Sequence, residues 1–210
     1  METLEKIVAR ASAALSGAKL EIIPNDIPSA QRSILVDSAN GAALAQFLRD
    51  DSFLQLDYVS SVTGVDWPDQ TLKEKIKVKK LVEGVEKEIE ETVEKFRPGY
   101  LEVVYHLYSM ALKHGPLIVR LRTGNRTDQV TLPSWTPIYR GCEFQEREVF
   151  DLYGVVFENH PDLRRILMWP EFQDFPMRKD YQQPDDYEYE PTPHDEVLVR
   201  AKSHYPEATA

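Results

Sequence analysis

Near the start of the chain Leu4, Ile7, Val8, Ala11 and Leu15 recur at helical spacing, and Gly17 supplies a stop. Positions 33–37 then read as a short strand and 42–49 as a second helix with Leu44, Phe47 and Leu48 on its buried side. Positions 55–66, rich in Val, Tyr, Ser and Thr, read as a strand ending at Trp67 and Pro68. After Pro98 and Gly99, Leu101, Val103, Tyr105 and Leu107 alternate with Glu102, Val104, His106 and Tyr108. Leu117, Val119 and Leu121 repeat the alternation beyond a turn at His114, Gly115 and Pro116. Together these elements predict an α+β fold, a two-layer sandwich in which a sheet of roughly four strands carries helices on one face.

Between the two halves, 70–97 changes composition. Lys73, Lys75, Lys77, Lys79 and Lys80 give way to Glu86, Glu88, Glu90, Glu91 and Glu94, while Val78, Leu81, Val82, Val85, Ile89, Val93 and Phe96 keep helical spacing. The stretch reads as a charged helical insertion, with Gly84 as the point where it breaks in two. It is either a solvated surface helix with internal ion pairs or a protruding one that binds a neighbour.

The last third carries Pro161, Pro170, Pro176, Pro184, Pro191, Pro193 and Pro206, which forbid a long regular element. It predicts an extended arm running over another surface. Beyond it, Asp185, Asp186, Tyr187, Glu188, Tyr189 and Glu190 form an acidic tail, either disordered or ordered by a partner. The expected organisation is an α+β domain over 1–140, a short helix with an extended arm over 141–181, and the tail over 182–210.

Composition narrows the function. With 42% hydrophobic and 29% charged residues the chain is an ordinary globular protein, long enough to bury roughly 70% of its unfolded surface without a metal or disulfide. The net charge of −10 argues against nucleic acid as a partner. A single cysteine, Cys142, excludes an internal disulfide and the multi-thiolate ligation of an iron–sulfur cluster or structural zinc. The acidic start at Glu2 and Glu5 lacks the basic, then apolar, form of a secretory signal. No apolar run approaches the roughly 20 residues of a membrane span, so a cytoplasmic chain is expected, reaching any membrane through a partner.

The densest constellation is Glu146, Arg147, Glu148, Val149, Phe150, Asp151, Leu152, Tyr153 and Gly154, followed by His160, Pro161, Asp162, Leu163, Arg164, Arg165, Ile166 and Leu167. Val149, Leu152 and Tyr153 form one apolar stripe of a short helix, Gly154 fits its C-terminal cap, and Glu146 and Glu148 suit the positive end of its dipole. A catalytic reading makes Glu146 or Asp151 a general base with His160 as partner and Arg164 and Arg165 as an anion clamp. The chain lacks a phosphate loop, a nucleophile elbow and His-Glu-x-x-His to go with it. The interface reading asks less: Trp169, Phe172, Phe175 and Tyr181 alternate with Arg178, Lys179 and Asp180 as aromatic and charged anchors do.

These residues resemble the 30 kDa-type subunit family of respiratory complex I. That family's signature is Glu-Arg-Glu, an acid and two apolar or aromatic positions shortly after it, then a spaced His and a basic residue before two aliphatic ones. Glu146, Arg147, Glu148, Asp151, Leu152, Tyr153, His160, Arg164, Ile166 and Leu167 meet it here. Positions 176–181 resemble the family's Pro-Leu-Arg-Lys-Asp-Tyr, and 62–66 and 103–107 extend the likeness upstream. Departures are the 70–97 insertion, Phe144 and Phe172 where tryptophan is common, and Gln182 in place of a proline.

The resemblance implies a structural subunit of the peripheral arm of NADH:quinone oxidoreductase on the cytoplasmic face of the cell membrane. It would hold no cofactor, the FMN and Fe–S clusters lying in partner subunits, and its chief partner would be the hydrogenase-like large subunit. Glu146, Arg147, Glu148, Asp151, His160, Arg164 and Arg165, with Arg178, Lys179, Asp180 and Tyr181, are the expected subunit interface. Two rivals remain: the homologous subunit of a membrane-bound hydrogenase or other donor-specific dehydrogenase, and a stand-alone acid–base enzyme.

Overall fold

The computed structural model describes residues 2–25, 31–82 and 85–182, with the backbone course alone described over 73–93. The chain divides into two units, Met1–Lys179 and Asp180–Ala210, and residues 180–182 are the described part of the second. The acidic tail expected beyond them and the break expected at Gly84 lie outside the described residues.

The first unit opens with helix α1 (Leu4–Ala14), which buries Ile7 and Ala11 as their spacing requires. Strands β1 (Leu20–Ile23) and β2 (Ser33–Val36) follow, then α2 (Gly41–Asp50), burying Leu44, Ala45 and Leu48. β3 (Tyr58–Trp67) precedes a long hairpin of β4 (Gln70–Val82) and β5 (Val85–Arg97). After it come β6 (Tyr100–Ser109), β7 (His114–Arg122), the short β8 (Thr131–Pro133), α3 (Glu143–Tyr153) and β9 (Val156–Glu158).

The main sheet has five strands in the order β1-β2-β7-β6-β3, with β2 and β7 parallel and the other neighbours antiparallel. The strands expected from alternation are all present. The fifth is β1, an edge strand whose four residues are too short to carry a periodic signal. On one face Leu101, Val103, Tyr105 and Leu107 of β6 join Val119 and Leu121 of β7 and Ile34 and Val36 of β2. They form a core with Ile7 and Ala11 of α1 and Leu44 and Leu48 of α2. A bulge between Val59 and Ser61 shifts the phase of β3, which lets Val59 and Val62 enter the same core although they do not share parity.

The opposite face is polar at its centre. Glu102, fully enclosed, accepts from Arg120 and Arg122 at 2.8 Å each and from the Trp67 indole at 3.3 Å. Three donors satisfy the buried carboxylate and two of them carry its countercharge.

The 70–97 stretch corrects the sequence reading: it is two antiparallel strands, not a helix. Its sequence carries two periods at once. Lys73, Lys75, Lys77 and Lys79 also alternate strictly, and Ile76, Val78, Val85, Ile89, Thr92 and Val93 are β-branched. The register sets Lys73, Lys77 and Lys79 opposite Glu94, Glu90 and Glu88, so the lysine-rich and glutamate-rich halves complement each other across strands rather than along a helix.

Candidate functional site: the latched arm on helix α3

Helix α3 begins after Cys142 and ends at Gly154, whose φ of 78° is the left-handed cap expected of it. It packs on the edge strand β3. Gln145 accepts the Val62 N–H at 2.7 Å, and the Tyr153 ring lies where a side chain on Gly64 would stand. An edge otherwise open to another strand is thereby closed.

The acids of α3 turn inward. Glu146 has no exposed surface (0%) and accepts four hydrogen bonds: Tyr105 Oη at 3.0 Å and the Trp135 N–H at 2.7 Å on Oε1, Ser134 Oγ at 2.5 Å and Thr136 Oγ1 at 2.8 Å on Oε2. Burial, with the Glu146 charge beside it, pushes the Tyr105 hydroxyl well above the usual phenol range, so it stays a donor. The Trp135 ring stacks on Tyr105 with centroids 3.9 Å apart and screens the carboxylate from water. His160 Nε2 is 4.0 Å from Glu146, but its ring is committed elsewhere. Nδ1 accepts the Asp162 N–H at 3.1 Å, so the proton sits on Nε2, which donates to the Glu143 carbonyl at 3.0 Å.

Asp151 is equally enclosed. Oδ2 accepts the backbone N–H groups of Ile166, Leu167 and Met168 at 3.0, 2.7 and 2.8 Å, and Oδ1 accepts Arg165 Nη1 at 2.6 Å. Burial pushes its acidity toward the neutral form. The N–H groups of Met168, Ile166 and Leu167 and the Arg165 guanidinium outweigh burial and hold the carboxyl below its usual value. Arg147, 5% exposed, donates to the carbonyls of Arg164 and Arg165 at 3.1 and 3.2 Å. Arg165 lies over the Phe172 and Phe175 rings, and Arg178 lies 4.5 Å over Phe175 while donating to the Tyr153 and Arg126 carbonyls.

A third carboxylate, Asp66 at the end of β3, completes the arrangement. Arg126 grips it through two nitrogens at 2.7 and 2.8 Å, and the Lys179 N–H donates to it at 2.8 Å. Asp66, Arg126, Ser134 and Thr136 do not stand out in the sequence as interface residues. Asp66 closes one of the segments that carry the resemblance, while the hydroxyls flanking Trp135 give no signal until Glu146 is placed among them.

Of the expected interface residues, then, Glu146, Arg147, Asp151, His160, Arg165 and Arg178 direct their polar groups into the chain itself. Glu148 is exposed, Arg164 is exposed and paired with Asp162, Lys179 is exposed, and Asp180 and Tyr181 fall in the second unit. Beside these charged residues, large apolar side chains also stand outward on helix and arm: Phe144, Ile166, Leu167, Trp169 and Met177 are between 38% and 61% exposed.

For acid–base catalysis the same geometry is unpromising. Glu146 and Asp151 have their oxygens filled by donors, and His160 has both nitrogens bonded; two clefts among the described residues, of about 350 and 390 Å³, are lined by other residues. They sit around Leu35 and Arg122, and around Tyr108 and His114.

Comparison with known proteins bears on the same segment. The family described as respiratory-chain NADH dehydrogenase, 30 Kd subunit, matches residues 34–187. The chain belongs to this family. A curated relative, an NADH-quinone oxidoreductase subunit of Xanthobacter autotrophicus, is 33% identical over 181 residues, covering 86% of this chain and 70% of the relative. Its counterpart from Caulobacter vibrioides is 32% identical over 178 residues, covering 84% and 70%. Among solved structures, a chain of the membrane-bound sulfane sulfur reductase, an archaeal respiratory membrane complex, superposes with a TM-score of 0.57. It is 21% identical and covers 99% of this chain and 94% of that one, which shows a shared fold.

Proposed function

We propose that this chain is a structural subunit of the peripheral arm of an NADH:quinone oxidoreductase of the complex I type, holding no cofactor of its own. It supports electron transfer from NADH, through FMN and Fe–S clusters in other subunits, to quinone. The family match over residues 34–187 carries this reading. Of the candidate acids and bases, Asp151 is consumed in holding the arm and Glu146 in holding Tyr105 and residues 134–136, while large apolar side chains are left outward beside Arg164 and Glu148, as in a surface that docks. The proposed partner is the hydrogenase-like large subunit, on the cytoplasmic face of the membrane. No helix among the described residues is long and apolar enough to cross a membrane, which fits peripheral attachment.

The test is affinity purification of the tagged chain from mildly solubilised native membranes, with mass spectrometry and an NADH:quinone assay of the eluate. Flavin, iron–sulfur and quinone-site subunits with that activity are expected. Recovery with a large subunit bearing nickel-site cysteines would move the chain to a hydrogenase, and recovery alone would reopen the acid–base reading. Arg164→Ala should lower the yield of the assembled complex without changing turnover per complex.

A further inference from the structure

We propose that the β4–β5 ribbon is a self-association element, whose apolar face packs on the same face of a second copy of this chain turned end for end. The ribbon prolongs the β3–β6 pair beyond Pro68 and Pro98, and neither of its strands pairs with any other described strand. Its strands of 13 residues reach about 40 Å. Two strands by themselves are marginal in water unless one face is covered.

The register sorts the ribbon into two unlike faces. One carries the pairs of Lys73, Lys77 and Lys79 with Glu94, Glu90 and Glu88, so its charges are matched within the ribbon. The other holds Ile76, Val78 and Val82 of β4 and Val85, Ile89 and Val93 of β5, and its charges are unmatched. Lys80 stands directly opposite Lys87, and Glu74 is diagonal to Glu91. Like charges so placed destabilise a lone ribbon. A copy turned about an axis at the level of Val78 and Ile89 removes the conflict. It lays the Lys80–Lys87 level of each ribbon on the Ile76–Glu91 level of the other, next to Glu74, and centres the contact on valine and isoleucine. Two lysines then answer two glutamates from each side. Symmetric pairing along the edges lacks this match, because two β4 strands would set lysines beside lysines and two β5 strands glutamates beside glutamates. The overlap runs from Glu74–Val93 to Val82–Val85, less than half the residues of a standard interface, so the dimer should be weak, dissociating at about 1–100 µM.

Sedimentation velocity on the purified full-length chain tests this. The wild type should pass from monomer to dimer between about 1 and 100 µM. The double variants Lys80→Glu with Lys87→Glu, and Glu74→Lys with Glu91→Lys, each give the face a single sign and should be monomeric. Their equimolar mixture should form a heterodimer. Val78→Thr with Ile89→Thr keeps strand-forming residues and removes apolar surface, and should weaken the dimer at least about tenfold. Lys75→Gln, on the other face, should leave it unchanged. A wild type that stays monomeric to about 100 µM would overturn the proposal, as would an unweakened dimer in the threonine variant or a charge-reversed mixture that stays monomeric. The proposal does not rest on the proposed function, so failure to co-purify with a complex would leave these results untouched.

Discussion

The Tyr153 ring occupies the space above Gly64 so closely that a methyl group on that glycine would overlap it. The contact joins the last turn of α3 to the edge strand β3 and is the reason a strand built of Val and Thr tolerates a glycine at its middle. Gly64→Ala should cost about 1–3 kcal/mol by overpacking, read as a lower thermal midpoint. Tyr153→Leu should relieve part of that cost, so the double variant should be more stable than the sum of the two single effects predicts. Strict additivity would show that the two residues do not compete for space.

Glu146 is a structural carboxylate, and its removal strands its donors. Glu146→Ala leaves the hydroxyls of Tyr105, Ser134 and Thr136 and the Trp135 N–H without their acceptor, and should cost about 3–5 kcal/mol. Thr136→Val, which removes one donor and keeps the shape, should cost about 1 kcal/mol. Urea titration of both variants separates the effects. Equal losses would mean that the hub does not act as a unit.

The arm should loosen in acid. The Asp151 carboxyl is held below its ordinary value in the folded chain, so the folded state binds its proton less readily than the unfolded state does. The stability it contributes is therefore fully present above the unfolded value, near pH 4, and is lost as pH falls through the depressed folded value. Amide exchange at 166–168, followed from neutral pH downward, should accelerate beyond its intrinsic pH dependence in that window. Asp151→Asn should abolish the extra dependence.

Arg126 holds Asp66 by a planar two-nitrogen grip, which lysine cannot reproduce. Arg126→Lys should lower stability by about 1–2 kcal/mol and speed exchange at the Lys179 amide, which shares the same carboxylate. A change in stability without a change at Lys179 would mean that arm and loop are held separately.

Cys142 is fully buried at the start of α3, and burial together with the nearby Glu146 charge pushes its thiol well above the ordinary range. Thiolate is the reactive form, so alkylation at pH 8 should be slow in the folded chain and rapid in urea. Rapid modification of the native protein would contradict the described core.

The alternation of 101–107 and 117–121, the amphipathic start and the helix cap at Gly154 were legible because each is a local pattern: period two, period 3.6, and a glycine where only a left-handed residue fits. The order of residues 146–167 also sufficed to mark the family. Three matters lay beyond local pattern. The 70–97 stretch satisfies both periods, and the pairing of its lysine half with its glutamate half across two strands became visible only with the register. The four-residue β1 is defined by its neighbour β2, not by its own sequence. Above all, the sequence determined which charged residues this protein concentrates in one segment, but not which way they face. Glu146, Arg147, Asp151 and Arg165 read equally well as a charged exterior, and tertiary structure turned them inward: Glu146 accepts from Tyr105 and residues 134–136, and the other three answer an arm without helix or strand, whose backbone N–H and carbonyl groups must be paired. Buried charges close to it in space, though distant in sequence, were the groups available to pair them.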